Sequence, residues 1–317
     1  MAKWTAADIP DQSGRTIVVT GANSGLGAVV ASELARAGAR VIVACRDTVK
    51  GQAAADAMPG QTEVRPLDLA DLTSVRAFAA GLQTIDVLVN NAGVMATPLG
   101  RTTEGFELQI GTNHLGHFAL TGLVLDRLVD RVVTVSSGAH RMGRIDLADL
   151  NWEHRRYQRW PAYGQSKLAN LLFTYELQRR LDAGGSDRKA FAAHPGYAAT
   201  NLQSHTDSFQ DRVMELTNRV IAQSAAMGAL PTLYAATAPG LPGGSFLGPD
   251  GFLEQRGHPK IVRSNARSYD ETTAAALWDL SEVLTGVTYS IDLGTGRAVP
   301  RLAPAPGKRT RVNLVTH

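Results

Sequence analysis

Short runs of apolar and β-branched residues alternate along the chain with longer segments in which apolar residues recur at helical spacing. The first run, Thr16 to Thr20, is typical of a buried strand. The pattern predicts strands at 16–20, 40–44, 62–66, 85–89, 131–136, 188–193 and 244–247. It predicts helices at 25–37, 48–57, 71–82, 104–127, 161–182, 223–237 and 270–285. This alternation indicates one doubly wound α/β domain, with a mainly parallel seven-stranded sheet and helices on both faces.

The flanking segments set the limits of that domain. Residues 1–13 precede the first strand as an N-terminal extension, residues 14–290 form the domain, and residues 291–317 form a basic, proline-containing tail. From Leu293 onward there are five basic residues and no acidic one, so the net charge of +3 leaves −2 for the rest of the chain. The basic balance therefore belongs to the tail, and we expect no nucleic-acid partner.

Composition is that of an ordinary soluble globular protein, with 44% hydrophobic and 19% charged residues. No run of 18 apolar residues is present, so we expect no membrane span. Residues 1–14 lack the charged start and apolar centre of a secretion signal. The single cysteine, Cys45, allows no internal disulfide and is typical of a cytoplasmic protein.

A glycine-rich turn follows the first predicted strand and opens the first predicted helix. This order, in a Rossmann-type domain, places a dinucleotide pyrophosphate on free backbone N–H groups at the positive end of a helix. The spacing here is Gly-x-x-x-Gly-x-Gly rather than Gly-x-Gly-x-x-Gly. The residues expected to contact the cofactor are Gly21, Asn23, Ser24, Gly25, Leu26 and Gly27.

The end of the second predicted strand bears on the choice of cofactor. NAD enzymes usually place a carboxylate there for the ribose hydroxyls, whereas this chain has Cys45 followed by Arg46. A guanidinium matches a phosphate group, so we predict NADP(H) in preference to NAD(H), with Lys50 as a second phosphate contact. Against this, the glycine turn itself contains no basic residue, and Arg46 could equally be a solvated loop residue.

Tyr163 and Lys167 carry the candidate chemistry. They are four residues apart in a predicted helix, so both side chains lie on one face. A nearby ammonium favours the phenolate, and we therefore expect the pKa of Tyr163 to fall toward the working pH. Such a tyrosine can give or take a proton at a carbonyl or carbinol oxygen. The alternative is a packed ring beside a solvated amine.

Taken together, these motifs resemble the short-chain dehydrogenase/reductase family. The matching segments occur in the family's order over roughly residues 14 to 200: Thr20 to Gly27, Asp68-Leu69, Asn90 to Gly93, Asn113, Ser136-Ser137, Tyr163 to Lys167 and Pro195-Gly196. Within the family, the stretches Asn113 to Phe118 and Ala162 to Asn170 resemble the retinol-dehydrogenase-like branch.

The resemblance implies further roles for residues at the site. Ser137 would hydrogen-bond the substrate oxygen, Asn113 would hold a water that links Lys167 to solvent, and Lys167 would also hold the nicotinamide ribose hydroxyls. The remaining positions implied to contact the cofactor are Asp68 and Leu69 at the adenine, Asn90, Ala92 and Gly93 in the next loop, and Pro195 to Thr200 at the nicotinamide end, together with Tyr163.

Two variable segments are expected to shape the substrate site. The separation of Ser137 and Tyr163 is about twice the family's common spacing, and the insertion at about 141–161 contains Trp152, Tyr157 and Trp160. These aromatic residues could form a wall for an apolar aldehyde or ketone, or only hold the insertion in place. The segment at about 201–222 is the expected substrate lid.

Other features of the sequence do not indicate further chemistry. His114 and His117 have a spacing that suits a metal, but no carboxylate or cysteine completes a site nearby, so core or turn histidines are expected and no metal is predicted. Cys45 has no setting that would lower its pKa and is not expected to be reactive.

The leading hypothesis is an NAD(P)(H)-dependent oxidoreductase that interconverts an alcohol and an aldehyde or ketone, with Tyr163 as acid/base. One rival is a cofactor-binding regulator that has lost catalysis, and another is a reductase of a large-ring double bond. The partner is a small-molecule carbonyl or alcohol. Relatives often pair through two long helices, which leaves a monomer or a homodimer open.

Overall fold

The computed structural model describes residues 3–196 and 224–291. Its strands are β1 (Thr16–Thr20), β2 (Arg40–Cys45), β3 (Gln61–Pro66), β4 (Ile85–Asn90), β5 (Leu128–Val135), β6 (Lys189–Ala193), β7 (Phe246–Pro249) and β8 (Pro259–Val262). Its α-helices are α1 (Gly25–Arg36), α2 (Thr48–Asp56), α3 (Leu72–Ala80), α4 (Leu108–Ile110), α5 (Gly116–Val124), α6 (Arg159–Ala183), α7 (Ala225–Thr237) and α8 (Glu271–Thr285).

These strands form one sheet in the order β3-β2-β1-β4-β5-β6-β7-β8, and every neighbouring pair is parallel except β7 with β8. The predicted doubly wound α/β domain is confirmed, with one strand more than the seven predicted. The missed strand, β8, has only four residues and begins at Pro259. Its two middle residues are both exposed, so the sequence has no alternation of apolar and polar positions that would indicate a strand. The chain order reverses between β1 and β4, where ligands bind in open α/β sheets.

Both faces of the sheet are buried, because alternate residues of the central strands enter two separate cores. One core packs Val18, Leu88 and Val132 against α3, α5 and α6. The other packs Val19, Val89 and Val133 against α1 and α7. Strands covered on both faces are apolar throughout, which explains the continuous β-branched runs in the sequence.

The single helix predicted at 104–127 is wrong at its start and in its continuity. The segment begins as α4 at Leu108, because Glu107 accepts the backbone N–H groups of Gln109 and Ile110 and so caps it. It then widens into a π-turn at Gly111–Leu115 before α5 begins. A π-turn breaks the regular backbone hydrogen-bond ladder and is often found at functional sites. Asn113 lies in its middle.

The outer side of α5 and α6 is covered by the chain itself. Trp278 of α8 packs on Phe118 of α5 and Phe173 of α6, with ring centroids 5.1 and 5.8 Å apart. Tyr289 adds a hydrogen bond from its hydroxyl to the Phe118 carbonyl oxygen (2.7 Å).

Several expectations concern segments outside the described residues. The expected lid at 201–222, Thr200 and most of the tail at 291–317 all fall there. Among residues 3–196 and 224–291, no helix combines the length and the apolar character needed to cross a bilayer.

Candidate active site

The glycine turn between β1 and α1 has the backbone geometry that a pyrophosphate needs. Gly21 and Gly25 adopt positive φ angles of 66° and 55°, which only glycine adopts without strain. A Cβ on Gly27 would lie 2.4 Å from the Gly21 carbonyl oxygen, so helix and turn approach too closely for any other residue. The Ser24 side chain makes no capping hydrogen bond, which leaves the first N–H groups of α1 without a side-chain cap.

Thr20 fastens this turn to the loop after β4, a role that the sequence analysis missed. Its hydroxyl accepts the backbone N–H groups of Asn91 and Ala92, both at 2.9 Å. The Asn91 side chain returns a hydrogen bond to the Thr20 carbonyl oxygen at 2.8 Å. The loop lies so close that a Cβ on Gly21 would meet the Cα of Ala92 at 2.9 Å. Of the predicted cofactor residues, Gly21 and Ala92 are therefore brought into contact.

His117 extends the same network to Asn113 and was also missed as a site residue. Its Nδ1 lies 3.1 Å from the Asn113 carbonyl oxygen, which can only accept, so Nδ1 carries the proton. Its Nε2 then accepts from the Thr20 hydroxyl at 2.9 Å. Burial lowers the pKa of His117 to about 4, which keeps the ring neutral and the network intact at neutral pH.

Asn113 and Lys167 meet at Gly93. A Cβ on Gly93 would lie 3.0 Å from Asn113 Oδ1 and 3.4 Å from Lys167 Nζ, so glycine is needed for this approach. The Asn113 side chain is held in place, since Oδ1 accepts the Val94 N–H (2.8 Å) and Nδ2 donates to the Val94 carbonyl oxygen and Ser166 Oγ (both 2.9 Å). Oδ1 keeps a second lone pair, so it can still accept a hydrogen bond from a water.

Tyr163 and Lys167 lie one turn apart on α6, as the sequence predicts. Both are buried, and the Lys167 ammonium is 5.7 Å from the centre of the Tyr163 ring. Lys167 Nζ donates to the Val135 carbonyl oxygen at 3.1 Å, which holds it at the carboxyl end of β5. The Ser136 hydroxyl donates to the Lys167 carbonyl oxygen at 2.8 Å and joins the helix to the same strand.

The predicted direction of the Tyr163 pKa is wrong for this arrangement. Burial raises the pKa of Tyr163 to about 12, and only the contact with the Ser137 hydroxyl works in the opposite direction. Burial also lowers the pKa of Lys167 to about 8, so the amine itself is close to losing its charge. Residue spacing predicts how near the two groups lie, but not how strongly the surroundings penalise a phenolate. The phenol therefore keeps its proton at neutral pH.

Ser137 begins the short 3₁₀ turn Gly138–Met142, directly after β5. Its Oγ accepts the Ala139 N–H at 3.2 Å, so the hydroxyl proton is free to donate. The Ser137 side chain is a neighbour of the Tyr163 hydroxyl, and their contact lowers the Tyr163 pKa. The structure therefore brings together Ser137, Tyr163 and Lys167, with Asn113 beside Lys167.

The end of β2 holds the residues on which the predicted choice of cofactor depends. Cys45 is buried, and burial raises the pKa of its thiol, which removes it as a reactive group. Arg46 is exposed. Asp47 accepts the Lys50 N–H at 3.0 Å as the cap of α2, and its carboxylate pairs with Lys50 Nζ at 3.3 Å. The acidic residue in this loop is thus already engaged, and so is the lysine predicted as a second phosphate contact.

The predicted adenine-side residues divide into backbone and side-chain candidates. The Asp68 carboxylate accepts the Ala70 N–H at 2.9 Å and remains half-buried at the carboxyl edge of the sheet. Leu69 packs in the core. The Asn90 side chain also points inward, where Nδ2 donates to Thr121 Oγ1 at 3.0 Å. Leu69 and Asn90 can therefore contact a ligand only through their backbones.

Pro195 and Gly196 follow β6 at the same edge of the sheet. Gly196 has a φ of 68°, and a Cβ there would lie 2.4 Å from the Gln255 carbonyl oxygen. Its N–H donates to His194 Nδ1 at 3.3 Å, while His194 Nε2 lies 3.1 Å from Glu254. The loop after β7 thus supports the segment that leads toward the expected nicotinamide end.

The insertion at 141–161 contains aromatic residues with two different roles. Trp152 is buried, with the Arg155 guanidinium 3.8 Å above its ring, and Tyr157 hydrogen-bonds Glu107 at 3.0 Å. These two residues hold the insertion in place. Trp160 is 36% exposed and packs edge-on to Tyr163, with ring centroids 6.2 Å apart. The structure thus gives Trp152 and Tyr157 the holding role, and Trp160 stays a candidate for the predicted substrate wall.

The two histidines with metal-like spacing are both buried in hydrogen-bonded or aromatic surroundings. His114 Nε2 donates to Ser281 Oγ at 3.0 Å, and its ring contacts Phe118 and Phe173. Burial lowers the pKa of His114 to about 3. Over the described part of the chain, no group of three or more His, Cys, Asp or Glu side chains could hold a metal ion.

The residues at this edge of the sheet fit a nicotinamide dinucleotide. The turn at Gly21 and Gly25 has the space and uncapped N–H groups that a pyrophosphate requires. Close contacts continue from Gly21 to Ala92 and from Gly93 to Lys167, and these residues would hold the remainder of the cofactor. When bound, the cofactor would supply the hydride, and the protein would position and polarise the reacting carbon–oxygen bond.

Comparison with known proteins gives the same assignment. The family model for short chain dehydrogenase matches residues 15–211. Retinol dehydrogenase 13 from Homo sapiens is 43% identical over 291 residues, which cover 86% of this chain and 85% of that protein. Retinol dehydrogenase 14 from Mus musculus is 40% identical over 301 residues, covering 86% of each.

Solved structures agree as well. An uncharacterized protein from Mycobacterium paratuberculosis is 58% identical, with a TM-score of 0.80 over 91% of this chain and 99% of that chain. A protein from Beutenbergia cavernae, ascribed NAD(P)-dependent gluconate 5-dehydrogenase activity, carries bound NADP; it is 28% identical, with a TM-score of 0.54 over 71% of this chain and 90% of that chain. The chain therefore belongs to the short-chain dehydrogenase/reductase family, as a retinol-dehydrogenase-like NAD(P)-dependent oxidoreductase acting on CH–OH and C=O groups.

Proposed function

We propose that the protein is an NADPH-preferring reductase of apolar aldehydes or ketones, which also runs in the direction of alcohol oxidation. The observation that carries the proposal is the buried Tyr163, in contact with Ser137 and one helical turn from Lys167, at the end of a cradle that begins at the glycine turn. A protonated phenol beside Ser137 and Lys167 is suited to giving a proton to a substrate oxygen.

In this proposal the Tyr163 hydroxyl gives a proton to the substrate oxygen, and the Ser137 hydroxyl stabilises the negative charge that develops there. As hydride reaches the carbonyl carbon, negative charge develops on the oxygen. Tyr163 donates its proton to that oxygen, and Ser137, whose hydroxyl proton is not used by its contact with Ala139, stabilises the charge by a hydrogen bond. Because burial raises the pKa of Tyr163 to about 12, the donor is fully protonated at neutral pH, which suits reduction.

Lys167 and Asn113 have supporting roles in this scheme. Lys167 Nζ, held by the Val135 carbonyl oxygen, has two further donor protons for ribose hydroxyls. With a pKa lowered to about 8, it can also pass a proton on and recover it from solvent. Asn113 would hold the water that connects Lys167 to solvent, through an oxygen lone pair that its bonds to Val94 and Ser166 leave unused.

The preference for NADPH rests on Arg46. This arginine is exposed at the end of β2, and among described residues no ion pair engages it, whereas Asp47 is taken by α2 and Lys50. Arg46→Ala is expected to raise the Kd for NADPH about tenfold and to leave the Kd for NADH within about twofold. Titration of tryptophan fluorescence with each cofactor measures both values.

The matched control is Arg36→Ala. It also removes one arginine charge, but at the carboxyl end of α1, away from the glycine turn, where Arg36 pairs with Glu33. It should leave both affinities unchanged. If Arg46→Ala weakens NADPH and NADH equally, or neither, the phosphate contact is assigned to the wrong residue.

The apolar substrate class rests on Trp160, exposed beside the Tyr163 ring, and on the relatives named retinol dehydrogenases. The test is NADPH oxidation by the purified protein with retinaldehyde, medium-chain aldehydes, an aryl ketone and a polar keto acid. We expect turnover with the apolar carbonyls and at least tenfold lower kcat/KM with the keto acid. Tight NADPH binding with no turnover of any carbonyl would instead favour a regulator without catalysis.

A further inference from the structure

His140 anchors the short turn that follows Ser137. Ser137, the proposed donor to the substrate oxygen, is followed by the 3₁₀ turn Gly138–Met142, whose outer residues Arg141 and Met142 are exposed. The Ser137 carbonyl oxygen accepts two hydrogen bonds from one residue: the His140 backbone N–H at 3.0 Å and the His140 ring Nδ1 at 2.7 Å. The second is at the short end of the range for N–H···O bonds.

The imidazole is itself fixed on its far side. His140 is fully buried, and its ring meets Phe246 of β7 edge-on, with centroids 5.6 Å apart. Nδ1 faces a carbonyl oxygen and must donate, so Nε2 is the acceptor, and the Asn265 N–H points to it at 3.4 Å. Asn265 Nδ2 also donates to the His140 carbonyl oxygen at 3.1 Å.

Asn265 is itself held by hydrogen bonds within its own turn. It follows β8, and its Oδ1 accepts the Ser268 N–H at 3.2 Å to cap the next turn. It lies outside residues 15–211, the part matched by the family model. A connection therefore runs from the end of the sheet, through Asn265 and His140, to the main chain of Ser137.

We propose that His140 is the positioning residue of Ser137, and that Asn265 fixes His140 for this role. The inference rests on the proposed function of Ser137. The far end of the turn is secured elsewhere, since Gly143 packs directly on the Gly164 carbonyl of α6. His140 secures the end that carries the donor. A donor displaced by about 1 Å loses much of its effect on the transition state, in the range of 10²-fold.

The test is a double-mutant cycle between His140→Leu and Ser137→Ala. With the native Ser137, His140→Leu is expected to lower kcat/KM for carbonyl reduction about 10–100-fold while the Kd for NADPH stays within about twofold. In the Ser137→Ala background, the same substitution should change kcat/KM by less than about threefold, because the group that it positions is gone. A general loss of packing would act equally in both backgrounds.

Two further variants keep the test decisive. His140→Asn can retain a donor near the Nδ1 position and is expected to recover most of the lost kcat/KM. Asn265→Ser keeps a side-chain oxygen to cap the turn and keeps the backbone N–H that faces His140 Nε2, but it loses the Nδ2 bond to the His140 carbonyl oxygen. It carries the same cycle if His140→Leu does not fold, with an expected loss of about three- to tenfold.

Different results would contradict the positioning role of His140 and the proposed role of Ser137. If the wild-type protein reduces carbonyls and Ser137→Ala is impaired, but His140→Leu lowers activity by the same factor in both backgrounds, the positioning role is wrong and the proposed function stands. If Ser137→Ala has full activity, the role of Ser137 is wrong and the inference falls with it.

Discussion

Replacing Tyr163 with phenylalanine is expected to lower kcat for carbonyl reduction about 10²–10⁴-fold, with the Kd for NADPH nearly unchanged. The substitution removes the buried hydroxyl that we propose gives its proton to the substrate oxygen, while leaving the ring that packs against Trp160. Single-turnover oxidation of bound NADPH measures the loss at the chemical step and separates it from product release.

The matched control is Tyr175→Phe, on the same helix but three turns further along. The Tyr175 hydroxyl hydrogen-bonds Ser264 at 2.8 Å, so its loss should lower the free energy of unfolding by about 1 kcal/mol without changing kcat. A Tyr163→Phe enzyme that keeps more than about a third of wild-type turnover would show that the proton comes from another group.

Acidification from pH 7 to pH 5 is expected to lower the free energy of unfolding steeply, at a pH well above that at which the carboxylates are neutralised. Burial lowers the pKa of His114 to about 3 and those of His117 and His140 to about 4. In the unfolded chain each ring takes up a proton near pH 6.5, whereas the folded chain does so only near pH 3–4. Stability is therefore lost as the pH falls below 6.5, by about 2 kcal/mol per ring at pH 5.

Three such rings approach the whole stability of a typical domain, about 5–15 kcal/mol. Glu107 works in the opposite direction, because burial raises its pKa and protonation then favours the folded state. Urea unfolding at pH 7 and pH 5 measures the difference. His114→Leu, in a pocket of Phe118 and Phe173, is expected to reduce it by about 2 kcal/mol. Equal stability at the two pH values would show that the rings are not buried neutral.

Local features of the chain were predicted well because neighbouring residues determine them. The strand Thr16–Thr20 and the helix that carries Tyr163 and Lys167 follow from β-branched runs and helical spacing. The glycine turn was predictable because Gly21 and Gly25 stand where the backbone has positive φ angles, which glycine adopts without strain. These elements alone place the cofactor edge and the candidate acid/base.

Features that depend on distant residues were not predictable in the same way. The π-turn at Gly111–Leu115 interrupts no pattern in the sequence, and β8 is too short and exposed to show one. His140 and Asn265 are 125 positions apart and join only once the sheet has formed. The Tyr163 pKa was predicted in the wrong direction for a related reason, since burial is a property of the assembled core rather than of a helix face.

The central claim is that the Tyr163 hydroxyl acts on a carbonyl oxygen next to the nicotinamide ring, and a crystal structure with NADP⁺ and a bound carbonyl or alcohol tests it most directly. The claim predicts one substrate oxygen within about 2.6–3.2 Å of both the Tyr163 and Ser137 hydroxyls. The attached carbon should lie about 3–3.5 Å from nicotinamide C4. A nicotinamide ring on the far side of the Tyr163 ring, with no substrate oxygen in reach of that hydroxyl, would contradict it.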